Sequence, residues 1–393
     1  MPENSYINTA PNSSKDRRIR FDKSKMAFVK WDAFELGFIV LKTVRLTNNN
    51  LATKILIFHL VNTVIYAEVF LLTMVNLFRV EKEDFLDAME GAISTLHAWM
   101  KYIWIVYYQE DLLRFQEDAC EFWDYRVFSE KAKMYAIFLK TALEKLQLTL
   151  GMAIVCLITL YMSFPLFSAG RFYVLNLNVH IQSHLLRYSI LLSQCYAVMV
   201  SACAVYLYEI IFVMLCCQAA IQLQLLSEKI KFEEGNDPKA VLREIVKHHQ
   251  LISSVLARMK KQYSLVFLLQ FVIMVASACS ELLFISIGNT DNWVRLMKSF
   301  IYCTYLFVEY AIYCVPSEEI CSKVSQFSQA VYFSKWYDML KIDAKDVAFL
   351  MMNSQKDVYF TIGDLMDVNM EAYVTVVRAT FTFYAFVNTM LLE

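Results

Sequence analysis

Three acidic residues near the end of the chain have a spacing that suits ion chemistry. Asp364, Asp367 and Glu371 follow one another at intervals of three and four residues, which places them on one face if this stretch is a helix. A ring of carboxylates around a central axis attracts cations, so these acids predict a cation conduit. An equally good interpretation is that they form salt bridges with lysine-rich helices at the inner face of a membrane.

Ionisable residues also occur inside strongly apolar stretches of the sequence. Because a charge in hydrocarbon is costly, such residues are candidates for function. They are Glu68, His97, Lys101, Glu209, Glu281, Glu309 and Arg378. The plainer interpretation is that several of them lie near the ends of membrane spans or pair between helices.

A third set of residues has the types expected in a mostly apolar binding pocket that offers a few hydroxyl groups. These aromatic, methionine, aliphatic and small side chains lie in the outer halves of the second, third, fourth and sixth apolar segments. The candidates are Ala92, Leu96, Met162, Tyr188, Leu192, Tyr196, Phe300, Tyr302 and Tyr305. Aromatic residues near membrane faces also form interfacial belts, so packing or a belt is the alternative for each of them.

The sequence contains no recognisable motif for catalysis, metal binding or phosphate binding. HExxH, CxxC and GxSxG patterns are absent, and there are only 7 glycines in 393 residues. So few glycines argue against a phosphate-binding loop, which needs several of them. We therefore expect a protein that is not an enzyme and that needs neither a metal nor a cofactor.

The composition is that of a polytopic membrane protein. Hydrophobic residues make up 58% of the chain and charged residues 19%, compared with an apolar content of roughly 45–50% in soluble domains. A helix needs about 20 apolar residues to cross a bilayer. Seven segments meet this length, near 54–78, 84–107, 141–168, 187–217, 263–287, 295–316 and 357–392. The predicted fold class is all-α, with seven transmembrane helices in a lipid bilayer.

Lysine and arginine residues alternate in number between these segments. Residues 1–54 contain ten lysines and arginines, and the six connections that follow contain two, five, two, eight, two and five in turn. Because positive residues are retained in the cytoplasm, this pattern predicts a cytoplasmic N-terminus and an extracellular C-terminus. A G-protein-coupled receptor has the opposite orientation. Such a receptor would also bring an Asp/Glu-Arg-Tyr triplet and a pair of outer cysteines, which are absent here.

The predicted organisation has four parts. They are a cytoplasmic arm with an interfacial helix (1–53), six spans with the pocket (54–316), a cytoplasmic anchor helix (317–356) and a last helix (357–393). A helix over 357–390 would be about 50 Å long at about 1.5 Å per residue, whereas the hydrocarbon core is about 30 Å thick. Its polar first half should therefore project into the cytoplasm, leaving 372–392 to cross the membrane.

The C-terminal part of the chain carries several short motifs that together are specific. Residues 332–337 (YFSKWY) match a Y-x-S-x-W-Y pattern. Gln355-Lys356 and residues 360–363 (FTIG) match a Q-K-P motif followed by L-T-A-G, except that Asp357 takes the place of the proline. Residues 382–385 (TFYA) match a closing S-Y-F-A motif. Cys314 occupies the position of the cysteine that ends span six in the same set of motifs. With the seven spans and the inverted orientation, these motifs resemble the insect odorant-receptor family.

This resemblance implies an odorant-binding subunit of a heteromeric, odorant-gated, non-selective cation channel. It implies a tetramer with a shared odorant receptor co-receptor, in which the last helix of each subunit lines the pore. The ligand would be a small, volatile, mostly apolar molecule bound in the outer halves of the spans. The protein would lie in the plasma membrane, in the dendrite of an olfactory sensory neuron, and would bind no nucleic acid.

Carried onto this sequence, the resemblance places a hydrophobic gate at Phe386 and Met390, with Thr389 beside them. The connection between spans four and five (218–262) has about 45 residues, whereas the co-receptor carries a long insertion there, so a ligand-tuned subunit is expected. One alternative is a gustatory-type channel that works without the co-receptor. A less favoured alternative is a metabotropic seven-helix receptor.

Overall fold

The computed structural model describes most of the chain beyond its N-terminal region. The described residues are 49–80, 85–167, 173–175, 183–231, 237–287, 293–334, 336–338, 344–355, 359–363 and 365–392. The predicted arm and interfacial helix (1–53) therefore fall almost wholly outside the described residues, and so does Asp364.

Within these ranges the secondary structure is almost entirely helical, which confirms the all-α class. The eight α-helices are α1 (Asn49–Leu77), α2 (Phe85–Ala119), α3 (Glu130–Phe167), α4 (His184–Lys229), α5 (Pro238–Ile287), α6 (Trp293–Phe333), α7 (Ala344–Ser354) and α8 (Met370–Leu392). Two short 3-10 helices occupy Tyr125–Val127 and Trp336–Asp338. Two short strands, β1 (Thr361–Ile362) and β2 (Met366–Asp367), form an antiparallel hairpin.

Five of the described helices are long and apolar enough to cross a membrane: α1, α3, α4, α5 and α6. The other two predicted spans correspond to α2 and α8. Polar residues interrupt the apolar stretch of α2, among them His97 and Lys101, and α8 contains Glu371 and Arg378. Charged and polar residues lower the mean hydropathy of a segment, and they are tolerated in a span that packs against other helices.

Helix α4 lies at the centre of the bundle. It packs against α1, α2, α3, α5 and α6, and residues 208–216 are buried without interruption. A helix that is buried on every side must be enclosed by other helices. Aromatic rings fill the space around it: the ring centroid of Tyr263 lies 4.5 Å from that of Trp104 and 4.9 Å from that of Phe212. In contrast, α3 packs mainly against α4, and little of its apolar surface is buried.

Helices α4, α5 and α6 are much longer than a membrane crossing. They have 46, 50 and 41 residues, which correspond to about 69, 75 and 62 Å, compared with about 30 Å of hydrocarbon. The end of α6 packs against α7, and Ile245 of α5, Phe327 of α6 and Leu350 of α7 belong to one buried hydrophobic cluster. We call this part of the bundle the α7 end. It has the packing expected of an inner helical anchor.

Helix α6 passes through the predicted boundary between span six and the anchor without a break. Pro316 lies inside the helix, where it removes one backbone donor. The next residue, Ser317, donates its hydroxyl to the Tyr313 carbonyl at 2.7 Å. Residues on both sides of position 316 therefore belong to one continuous helix.

The prediction of a single helix over 357–392 was wrong. The chain forms the β1–β2 hairpin first, with Thr361 opposite Asp367 and Ile362 opposite Met366, and α8 begins only at Met370. Asn369 starts this helix, because its side-chain oxygen accepts the Ala372 N–H at 2.7 Å, as an N-cap residue does.

The hairpin turn is fixed by a glycine that lies against α5. Gly363 has φ of 55°, a left-handed conformation that favours glycine, and its N–H donates to the Ser264 carbonyl at 3.1 Å. A Cβ atom at this position would lie 2.8 Å from Leu268 Cδ2. The FTIG motif therefore ends in glycine because both the backbone conformation and the lack of space require it.

Candidate ligand cavity and buried charge cluster

A cavity of about 150 Å³ lies among α1, α2, α3, α4 and α6. Most of its lining is aliphatic or aromatic, with a minority of hydroxyl-bearing side chains. The lining residues are Val69, Ser94, Thr95, His97, Ala98, Ile154, Leu157, Ile158, Tyr161, Leu175, Ala197, Val198, Ser201, Ala202, Val205, Tyr302 and Tyr305. This is the composition of a small-molecule site: an apolar wall with few polar groups that fix orientation.

Two of the nine predicted pocket residues, Tyr302 and Tyr305, lie in this wall. Their spacing of three places both on the cavity side of α6. The other seven lie outside its lining: Ala92, Leu96, Met162, Tyr188, Leu192, Tyr196 and Phe300. Tyr188, Leu192 and Phe300 are exposed on the outside of the bundle, and Tyr196 donates to Asn62 at 2.7 Å. Ligand binding by any of the nine stays a prediction.

Sequence reasoning identified none of the α3 and α4 residues that line the cavity. Ile154, Leu157, Ile158 and Tyr161 recur at helical spacing and form one wall. Tyr161 is the neighbour of the predicted Met162, and one residue rotates a helix position by about 100°. The apolar character of α3 on nearly every side hid this face, because hydrophobic periodicity reveals a face only when the opposite face is polar.

A cluster of buried charged side chains joins three helices beneath the cavity. Lys101 of α2 forms an ion pair with Glu309 of α6 and donates to Glu209 Oε1 of α4 at 3.2 Å. Its ammonium also donates to the Tyr313 hydroxyl at 3.0 Å. Lys101, Glu209 and Glu309 are fully buried. We use the name charge cluster for Lys101, Glu209 and Glu309 together with His97 and Gln270.

The charge cluster extends to the cavity wall and to α5. His97, which lines the cavity, has its Nε2 atom 2.5 Å from Gln270 Oε1 and 3.3 Å from Glu309 Oε1. Tyr305, also in the wall, donates its hydroxyl to Glu209 Oε1 at 3.3 Å. The floor of the cavity is therefore hydrogen-bonded to the charges that hold the helices together.

The structure separates the seven ionisable candidates into two groups. His97, Lys101, Glu209, Glu281 and Glu309 are buried, whereas Glu68 and Arg378 are exposed. Lys101, Glu209 and Glu309 pair between helices, which agrees with the plainer sequence interpretation. Their direct contact with cavity-wall residues keeps them candidates for a functional part as well.

A second buried ion pair lies on another side of the cavity. Lys298 of α6 binds Glu90 Oε2 of α2 at 2.7 Å, and Tyr161 of α3 donates to Glu90 Oε1 at 2.6 Å. Sequence analysis did not identify this pair, because both charges lie near the ends of predicted spans, where charged residues are ordinary.

Another cavity, of about 740 Å³, is lined by α3, α4, α6 and Met370. Two of its polar side chains are paired with each other, since Tyr135 donates to Glu319 at 2.6 Å. It contains none of the nine predicted pocket residues, so we take the smaller cavity as the ligand site.

Helix α6 connects the ligand cavity to α8. Tyr302 and Tyr305 lie in the cavity wall. Phe307 stacks on Phe381 of α8 with 6.4 Å between ring centroids, and Tyr310 stacks on Tyr373 with 6.1 Å. A displacement of α6 by a ligand would therefore act directly on α8.

The predicted gate residues and the two described conduit acids lie on the exposed surface of this single chain. Ala372, Val376 and Thr380 form the buried face of α8, while the side chains of Phe386 and Met390 are 59% and 61% exposed. Thr389 is exposed as well.

The two described conduit acids do not share one helical face, contrary to the prediction. Asp367 is an exposed residue of β2 and Glu371 is in the first turn of α8. The reason is the hairpin, which separates these positions from the helix. Among the described residues, no three His, Cys, Asp or Glu side chains are grouped so as to hold a metal ion.

One curated protein matches part of this chain. Odorant receptor 83a from Drosophila melanogaster is 21% identical over 147 residues, which are 37% of this chain and 32% of that protein. The match therefore spans about a third of the length of that relative.

Solved structures give a longer match. The insect olfactory receptor OR5 from Machilis hrabei superposes with a TM-score of 0.77 at 14% identity, covering 89% of this chain and 96% of that one. The same receptor in complex with eugenol gives a TM-score of 0.73 at 13% identity, with 91% and 97% covered. The family model for the 7tm odorant receptors matches residues 81–381. This membrane protein therefore belongs to the 7tm odorant receptor family.

Proposed function

We propose that this protein is the odorant-binding subunit of a heteromeric, odorant-gated, non-selective cation channel. The observation that carries the proposal is the continuity of α6, which bears the cavity residue Tyr305 and the α8 contacts Phe307 and Tyr310 within two turns. The family membership supports a receptor, and the position of α8 beside α6 supports a route from ligand to pore.

The ligand we propose is a small, volatile, mostly apolar molecule. A dry cavity of about 150 Å³ accommodates a molecule of about the size of benzene. Complex formation between the Machilis hrabei receptor and eugenol supports a small, largely apolar compound as the ligand class. Tyr302 and Tyr305 would supply the polar contacts from α6.

Opening would follow from a difference in ligand affinity between two arrangements of the bundle. A ligand that fits better when α6 is displaced would shift the population toward that state, and the stacked rings would carry α8 with it. Phe386, Met390 and Thr389 would face the last helices of neighbouring subunits, where an apolar ring closes a pore by resisting hydration. Asp364, Asp367 and Glu371 would raise the local concentration of cations.

The exposed apolar face of α8 supports an assembly in which other subunits cover it. We propose a tetramer with the shared odorant receptor co-receptor, with the N-terminus in the cytoplasm and the C-terminus outside. The α7 end would be the cytoplasmic anchor. The location would be the plasma membrane, in the dendrite of an olfactory sensory neuron.

Recording ligand-evoked current tests this proposal. The chain, the co-receptor and the pair would be expressed separately, with G-protein signalling blocked, and exposed to an odorant panel. Current that requires both subunits and survives the block supports the proposal. Current from the chain alone would support a gustatory-type channel instead, and loss of the response under the block would support a metabotropic receptor.

A matched pair of variants connects the current to the cavity. Tyr305→Phe should shift odorant potency, because it removes the hydroxyl that binds Glu209 at 3.3 Å. Tyr332→Phe is the control, since Tyr332 lies exposed at the end of α6. Equal potency shifts in both variants, or none in either, would argue against this cavity as the odorant site.

A further inference from the structure

The tyrosine hydroxyls in the cavity wall direct their protons to buried carboxylates. Tyr161 donates to Glu90 Oε1 at 2.6 Å and Tyr305 donates to Glu209 Oε1 at 3.3 Å. Both carboxylates are also bound by an ammonium group, Glu90 by that of Lys298 at 2.7 Å and Glu209 by that of Lys101. Tyr161 and Tyr305 are the donors in these two pairs, since a carboxyl oxygen that also binds an ammonium group accepts the hydroxyl proton.

Two other polar groups of the wall also donate to acceptors of the protein. Ser94 and Thr95 donate their hydroxyls to the Gly91 carbonyl at 3.1 and 2.7 Å. His97 Nε2 faces the oxygens of Gln270 and Glu309, so this side of the ring also points at acceptors of the protein.

The acidic groups behind the cavity wall strengthen its tendency to accept hydrogen bonds from a ligand. Glu90, Glu209 and Glu309 share two lysines, Lys101 and Lys298, so carboxyl groups outnumber ammonium groups around the cavity. Tyr302, the remaining tyrosine of the wall, is buried. Carboxyl oxygens behind the wall favour the positive end of a ligand dipole.

We propose that this cavity selects ligands by a hydrogen-bond donor: a small, mostly apolar alcohol, phenol or amine, rather than an ether, ketone or aldehyde of the same shape. This inference rests on the proposed function of the cavity as the odorant site. The ligand's O–H or N–H would donate to the free lone pairs of the Tyr161 and Tyr305 hydroxyls. An ether or carbonyl oxygen has no proton to donate, so its lone pairs would face the lone pairs of the tyrosine oxygens and repel them.

Matched compounds of the size of the cavity test this selection. Phenol would be compared with anisole, and benzyl alcohol with benzaldehyde, by current through the complete channel and by thermal stabilisation of the purified complex. The donor compounds should act at concentrations about tenfold or more lower, since an unpaired buried polar group is costly. Equal or better action of anisole and benzaldehyde would overturn the inference, and so would no response to the donor compounds.

Two substitutions identify the source of the preference. In Glu90→Gln the new amide can donate to the Tyr161 oxygen, which turns the hydroxyl proton toward the cavity and should move potency toward benzaldehyde. Tyr161→Phe removes the oxygen, so the ratio of benzyl alcohol to benzaldehyde potency should fall toward one. If Glu90→Gln does not reach the membrane, Tyr161→Phe still decides the question.

Tyr135→Phe is the matched control, because Tyr135 forms the same kind of pair with Glu319 at 2.6 Å outside this cavity. It should leave the donor preference unchanged. An unchanged preference in Tyr161→Phe and Glu90→Gln would refute the inference. Responses to the panel without any donor preference would refute the inference but retain the proposed function, whereas no current and no stabilisation with any compound would contradict both.

Discussion

Lys101 of α2 and Glu309 of α6 form an ion pair in which neither side chain is exposed to solvent. A second carboxylate, Glu209 of α4, lies 3.2 Å from the same ammonium. One ammonium group therefore binds two carboxyl groups at the centre of three helices. Because a buried charge without a partner is expensive, removing the lysine and removing one of the acids should have unequal effects.

Lys101→Met should destabilise the protein strongly, because it leaves two carboxylates buried together without a counter-charge. Breaking a buried pair costs about 3–5 kcal/mol. Glu209→Gln should cost much less, since it leaves the neutral pair of Lys101 and Glu309. The measurement is the thermal unfolding of detergent-solubilised protein for both variants. Equal losses of stability would show that the uneven charge count does not govern this cluster.

Gly363→Ala should destabilise the hairpin that precedes α8, for two separate reasons. The residue has φ of 55°, and strained backbone costs on the order of 1–3 kcal/mol. The added Cβ would also meet Leu268 at 2.8 Å. When Leu268→Ala is also present, the loss of stability caused by the steric clash should be smaller, whereas the loss caused by backbone strain should remain. Unfolding midpoints of the two single variants and the double variant separate these parts, and a fully tolerated Gly363→Ala would contradict the turn geometry.

Met390→Ser and Phe386→Ser should raise the resting current or change ion selectivity, because polar side chains ease the hydration of an apolar constriction. Phe381→Ser is the control, since Phe381 stacks on Phe307 of α6 and should lower expression without altering permeation. The relative permeability to calcium and sodium is the readout, since a co-receptor would supply most of the pore. Unchanged permeability in well-expressed channels would remove these residues from the gate.

The alternating lysine and arginine counts predict the orientation of the chain in the membrane. An epitope placed after Glu393 should be labelled on intact cells, whereas one placed before Met1 should be labelled only after permeabilisation. The positive-inside pattern is the physical reason. The reverse labelling would contradict both the orientation and the channel proposal that depends on it.

The helical class was predicted correctly, and the first six predicted spans coincide with helices, five of which are long and apolar enough to cross a membrane, because long apolar segments are a strong signal. It failed at 357–369, where the hairpin consists of strands of two residues each. Strands this short have no detectable period. The sole local indications are Gly363 and the capping residue Asn369.

The cavity was harder to predict than the fold. Tyr302 and Tyr305 were identified because their spacing is helical and their types suit a pocket. The α3 wall was missed because a helix that is apolar on most sides does not reveal which side faces protein. The pairing of Lys101 with Glu209 and Glu309 depends on residues separated by 108 and 208 positions, so it required the three-dimensional arrangement of the helices.

The position of α3 has a consequence for how such a receptor diversifies. Ile154, Leu157 and Ile158 shape the cavity from a helix that packs mainly against α4. Substitutions where little surface is buried usually change stability by no more than about 0.5 kcal/mol. We therefore expect substitutions on this wall to cost less stability than substitutions of the buried charged residues on α2, α4 and α6, so the cavity can change shape while the charge cluster stays intact.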